Sequence, residues 1–124
     1  MALKIFIVQS VYNWIVSNEL TPYLLISNNE NQAIVPENMI DLDKKTLLNI
    51  SPSSIENLVF KENKIQFDVT KNEEIANIIV YAGAILELYA NETSEGIYVG
   101  LDGKIAIKEN QNKEKISTNY LHLV

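Results

Sequence analysis

Apolar positions in the first twenty residues recur at helical spacing. At about 100° per residue, Trp14, Ile7, Val11, Ile15, Val8, Ile5, Tyr12 and Val16 fill an arc of roughly 200°. Gln9, Asn13 and Ser17 take the opposite side, with Phe6 and Ser10 at its margin. The pattern predicts a helix from Ile5 to Glu19. A helix resting on one core uses an apolar arc nearer ~100°. This one is therefore expected to bury two flanks, one on its own sheet and one on something else. The alternative is a helix sunk deep in its own core. Thr21-Pro22 is expected to end it, because a residue before proline is pushed out of the α region.

Past Pro22 the pattern shortens to strand-sized runs. Tyr23 to Ser27 reads as a strand and 28–32 as a polar turn. Ala33 to Pro36 reads as an edge, since Pro36 cannot donate to a ladder. A charged loop, Asp41 to Lys45, leads to a strand from Thr46 to Ile50. Ser51 to Ser54 is a turn. Leu58 to Phe60 and Ile65 to Val69 form a hairpin around Lys61 to Lys64. Ile65, Phe67 and Val69 alternate with Gln66 and Asp68, as in a half-buried strand. Lys71 to Glu74 turns into Ala76 to Val80. Tyr81 to Ala84 reads as one helical turn, followed by strands at Ile85 to Ala90 and Gly96 to Val99. Leu101-Asp-Gly103 is a hairpin signal toward Lys104 to Ile107. Residues 108–119 are polar and aperiodic, read as disordered, and Tyr120 to Val124 turn apolar again. One helix followed by about seven or eight short strands predicts a mainly β fold, a small open antiparallel barrel or two-sheet roll.

The bulk numbers narrow the function. With 124 residues, the chain is long enough for one domain with a real core. Its net charge is −6, and all ten basic residues are lysines. That balance speaks against nucleic acid and against anionic membrane surfaces, and no arginine fork exists for phosphate or carboxylate. There is no cysteine, which excludes disulfides, thiol catalysis and thiolate metal sites. The only histidine, His122, lies in the tail, so a histidine triad inside the fold is excluded. Asp41/Asp43, Glu73/Glu74 and Glu92/Glu95 read as solvated loop acids rather than metal or acid–base pairs. No catalytic residue, metal or cofactor is expected, and the chain is not expected to be an enzyme. Residues 1–8 have the outline of a signal peptide, but Gln9 and Ser10 interrupt it and no small-residue cleavage site follows. No run reaches the ~20 apolar residues of a membrane span, so a cytoplasmic location is expected.

Several motifs occur in an order that resembles a known family. They are Tyr12-Asn-Trp14, Asn18-Glu-Leu-Thr-Pro22, Val35-Pro36, Leu47 to Pro52, Ile55 to Leu58, Ile65-Gln-Phe67 and Ile85 to Ala90. Together, from about Phe6 to Val99, they resemble SspB, the stringent starvation protein B family. The resemblance implies an Sm/SH3-like roll behind an N-terminal helix, acting as an adaptor of the ClpXP protease. Such adaptors bind the ssrA degradation tag as an extended peptide and deliver the tagged protein to the ClpX ATPase. It implies a homodimer through the helix, with Phe6, Ser10 and Trp14 in the contact.

For the peptide groove, an apolar floor and close backbone approach are needed. The candidates are Val35, Pro36, Asn57, Leu58, Phe67, Val69, Ala82, Gly83 and Ala84. The resemblance also implies a docking motif for the N-terminal domain of ClpX, with Leu121, Leu123 and Val124 as its residues. The domain reading is a tag-binding unit at 1–100, a hairpin and linker at 101–119 and a docking tail at 120–124. The chain departs from the family in a shorter, less acidic linker and in lacking a basic residue at the end of the docking motif. The competing reading is a small-barrel interaction module of another kind, such as an RNA-binding Sm-like subunit. A hydrolytic enzyme is a third, opposed by the missing His and Cys.

Overall fold

A helix and nine strands account for most of residues 1–29 and 32–110, the part of the chain that the computed structural model describes. The helix α1 spans Leu3–Ser17. It starts without a capping side chain, at Ala2, whose N–H instead bonds Glu62 O at 2.6 Å. It also ends earlier than Pro22 requires. Glu19 takes a left-handed φ of 58°. Its N–H reaches Val16 O, and the N–H of Leu20 reaches Ile15 O. Paired bonds of this kind around a left-handed residue satisfy the last free carbonyls and stop a helix. The stop is thus Glu19, and the proline instead opens the first strand.

Strands β1 (Pro22–Ser27), β2 (Ala33–Ile34), β3 (Lys45–Asn49), β4 (Glu56–Phe60) and β5 (Lys64–Lys71) are followed by β6 (Glu74–Tyr81), β7 (Ile85–Ala90), β8 (Gly96–Val99) and β9 (Ile105–Lys108). They form two antiparallel sheets, ordered β3-β1-β7-β8-β9 and β2-β6-β5-β4. The chain is therefore mainly β behind an N-terminal helix, an open two-sheet roll, as the sequence predicts. The strand count exceeds the expected seven or eight, since even the two-residue β2 pairs, with Ile79 and Val80 of β6. Pro36 limits β2 to those two residues.

The β5–β6 hairpin closes on Asn72 and Glu73, both at positive φ (52° and 67°). Two left-handed central residues match the twist of the flanking strands and allow a two-residue loop. The register then runs without slip from Lys71↔Glu74 to Lys64↔Tyr81. The chain passes from one sheet to the other through a 3-10 turn, Ala82–Ala84. Ala82 and Ala84 are buried there while Gly83 is exposed.

The core lies between the sheets and under α1. Leu24, Ile26, Leu48 and Ile50 meet Ile65, Phe67, Ile78 and Val80, with Ile85, Leu88 and Ile97 alongside. Ile5, Val8, Tyr12 and Ile15 come down from the helix. Tyr12 also reaches the second sheet, its ring 5.7 Å from that of Phe60 on β4. The helix thus closes the open side of the roll. A clamp fixes its exit: the Glu92 carboxylate accepts Thr21 N–H at 2.8 Å and Thr21 Oγ1–H at 2.7 Å. Among the described residues no helix is long and apolar enough to cross a membrane.

Candidate functional site

At the tip of the β5–β6 hairpin the inner face of the second sheet runs out from under the core and is left half open. Val69 and Ala76 are opposite each other in the register there. Both are half-buried, two residues beyond the fully buried Phe67 and Ile78 on the same faces. Pro36 and Met39, from the segment after β2, stand across from them. The result is a cleft of about 470 Å³, with Asn38, Thr70, Lys71, Asn72, Glu74 and Ile75 completing the walls. Its floor is apolar, and its rim carries amides, one lysine and one glutamate.

The cleft runs beside an open strand edge. Tyr81 donates its N–H to Gln32 O at 2.8 Å, on the β2 side of β6. Strand alternation aims the backbone groups of Ile79, Asn77 and Ile75 to that same side. Strand β2 pairs only with Ile79 and Val80. Among the described residues, the edge at Asn77 and Ile75 has no paired strand, and an added extended chain would find ladder donors and acceptors there.

On the outer face of the same sheet a carboxylate is tied down. Asp68 accepts Asn57 Nδ2–H at 2.9 Å and Asn77 Nδ2–H at 2.8 Å. These amides hold its pKa below the ordinary 3.8, the Asn57 bond contributing most. Asn57 itself has a φ of 58°, which displaces the β4–β5 register between Glu56 and Val59.

The predicted groove residues therefore fall into separate places. Pro36 and Val69 share the cleft, and Val35 precedes it, half-buried against the core. Phe67 lies in the core beneath the same strand face, with no exposure. Asn57 and Leu58 belong to β4, on the far side of β5, where Asn57 bonds Asp68. Ala82 and Ala84 face the core at the sheet crossing, and Gly83 lies near Gln32. The residues that sequence reasoning missed are Met39 and the hairpin pair of Ala76 with Val69. Counting outward equally from the Lys71 to Glu74 turn would have put Ala76 opposite Val69.

The helix carries a second exposed feature. Phe6 is 59% and Trp14 42% exposed, and Leu3 joins them on the same face. Ser10, between Phe6 and Trp14, turns its hydroxyl back to Phe6 O at 3.0 Å, and Ser17 does likewise to Asn13 O at 2.6 Å. Such internal bonding makes the stripe less polar than its sequence reads. Leu121, Leu123 and Val124 lie outside the described residues. Asp41, the candidate loop acid, accepts the N–H groups of Asp43 and Lys45 and so closes its own turn. No group of three or more acidic or histidine side chains able to hold a metal occurs among the described residues.

No family model matches the chain. A curated relative does. It is a stringent starvation protein B homolog of Haemophilus influenzae. The two are 29% identical over 92 residues, which cover 74% of this chain and 61% of the relative. The chain thus matches about three fifths of that relative's length. That relative bears the name of the family that the motif order resembles.

Proposed function

We propose that this protein is a peptide-binding adaptor of the stringent starvation protein B kind. It holds ssrA-type degradation tags as extended peptides and delivers the tagged proteins to the ClpXP protease. The observation that carries the reading is the cleft between Pro36/Met39 and Val69/Ala76, open along the unpaired edge of β6. An extended peptide gains affinity from main-chain bonds along such an edge and specificity from pockets that take alternate side chains. The apolar floor takes one set of side chains, and the amides of Asn38 and Asn72 stand at the rim for the rest. The similarity to a stringent starvation protein B homolog supports the same class.

In this reading residues 1–100 form the tag-binding unit and 101–119 contain the link to a docking motif at Tyr120 to Val124. Leu121, Leu123 and Val124 make the contact with the ClpX N-terminal domain. The exposed stripe of Phe6, Ser10 and Trp14 pairs two subunits, so that one dimer carries two tethers. Tethering raises the local concentration of substrate at the unfoldase without any new contact to it.

The test is fluorescence anisotropy with a labelled ssrA peptide. Binding at low micromolar concentration or tighter, competed by unlabelled peptide, is expected. An absence of binding at several hundred micromolar would overturn the reading. Deleting 120–124 is expected to leave tag binding intact and to abolish accelerated degradation by ClpXP.

A further inference from the structure

The exposed helix stripe borders a second cleft, of about 320 Å³, lined by Ser10, Val11, Trp14, Gly96, Ile97 and Ile107, with Glu95 and Lys108 at one end. More than half of its wall is not helix. Ile107, on the edge strand β9, is 77% exposed and pairs with Ile97 of β8. Leu3, Phe6, Trp14 and Ile107 together expose on the order of 500 Å², at about 150–250 Å² per large side chain. That is most of the apolar core of an interface that buries about 800 Å² per partner.

The stripe is complementary to itself. Phe6 and Trp14 stand four residues on either side of Ser10, about 6 Å along the helix axis in each direction. A small side chain at the midpoint lets two helices approach closely. In a two-fold pairing each residue meets its counterpart's partner reciprocally. Two copies of α1 crossing antiparallel at Ser10 bring the Phe6 of each to the Trp14 of the other. The stripe of Leu3, Phe6, Ser10, Asn13, Trp14 and Ser17 carries no charge, so the two-fold sets no like charges together.

We propose that the α1–β9 cleft is the socket for Phe6 of a second copy of this chain, with Ile107 as its outer wall. The inference rests on the dimer reading above and adds that the helix alone is insufficient: β9 completes the contact. Each subunit then offers one knob and one socket, and the pair closes with no free socket left.

The experiment is sedimentation velocity over a range of concentrations on the wild type, Phe6→Asp and Ile107→Asp, each checked by circular dichroism. Both positions are exposed, so both variants are expected to keep the wild-type spectrum. Ile107→Asp is expected to weaken dimerisation at least tenfold. In a double-mutant cycle of Phe6→Ala with Ile107→Ala, the losses are expected to be less than multiplicative, since both remove the same contact. If Phe6→Asp is monomeric while Ile107→Asp dimerises like the wild type, the socket is refuted and the helix contact stands. If the wild type itself is monomeric at 100 micromolar-scale concentrations, roughly the upper end of such runs, both fall together.

Discussion

Val69 and Phe67 are two residues apart on one face of one strand, yet their substitutions are expected to fail in different assays. Val69 lines the cleft and is half-buried, whereas Phe67 is fully enclosed. Complete burial of a valine is worth about 1.5–3 kcal/mol, so a docking peptide that covers the remaining half gains about 1 kcal/mol from it. Val69→Asp removes that gain. It also places a carboxylate under the peptide, where desolvation costs at least about 2 kcal/mol. Together they amount to about 3 kcal/mol, or a Kd raised more than roughly 100-fold. The unliganded fold loses little, about 1 kcal/mol, because the new charge still reaches water at the open cleft. Phe67→Ala is the counterpart. It leaves a core cavity and is expected to cost about 3–5 kcal/mol of stability, with peptide affinity of the folded fraction nearly unchanged. Urea denaturation and peptide anisotropy on the two variants separate the effects. If Val69→Asp binds peptide within threefold of the wild type while folded, the cleft is not the site.

Two further outcomes follow from packing and charge. At Gly96 an added Cβ would stand 2.0 Å from Leu88 O and 2.6 Å from Tyr89 Cα, both backbone atoms of β7. Gly96→Ala must therefore pry β8 from β7, at about 3 kcal/mol or more, and is expected to lower Tm by roughly 10 °C in calorimetry; an unchanged Tm would contradict the close approach. The Glu92 carboxylate is held below its ordinary 4.5, chiefly by the Thr21 N–H. A depressed folded pKa means that the native state binds the proton less readily than the unfolded chain, so this stabilisation is full above about pH 5 and fades as pH falls through the folded value. The stability gap between the wild type and Glu92→Gln is expected at pH 6 and to narrow as the pH falls through the folded value; a gap that widens in acid would exclude the clamp as its source.

The fold was legible in the sequence wherever a local rule decided it. Period-two alternation in Ile65 to Val69 placed β5, and Pro36 limited β2. The helix boundaries were not, because the start at Ala2 carries no capping side chain and the stop is a left-handed Glu19, a residue type that gives no such signal. The sheet order was out of reach for a different reason. Strand β1 pairs with β3 and with β7, about sixty residues away in the chain, and no local pattern encodes that partner. The site followed the same division. Val69 was named from alternation and Pro36 from the motif resemblance, but their proximity depends on β2 joining β6 rather than β1. The small residues at 82–84 illustrate the converse. Their size reads equally well as room for a peptide backbone or as room for a chain crossing between sheets, and the observed burial of Ala82 and Ala84 belongs to the crossing.

The two exposed apolar features are separate, and this bears on what the protein can do. One is the cleft at the β5–β6 tip on the second sheet. The other is the helix stripe with β9, on the first sheet, and the two share no lining residue. A second subunit seated on the stripe would therefore leave the cleft's lining residues out of its contact. In the adaptor reading proposed above, that separation would let cargo bind and leave without dissolving a dimer. It also yields a quantitative expectation. With the sites uncoupled, Phe6→Asp monomers are expected to bind labelled peptide with the wild-type Kd, within about twofold, because a coupling free energy near zero leaves affinity unchanged. Monomers that lose tag affinity tenfold would show instead that the dimer contact shapes the cleft, and that the two surfaces act as one.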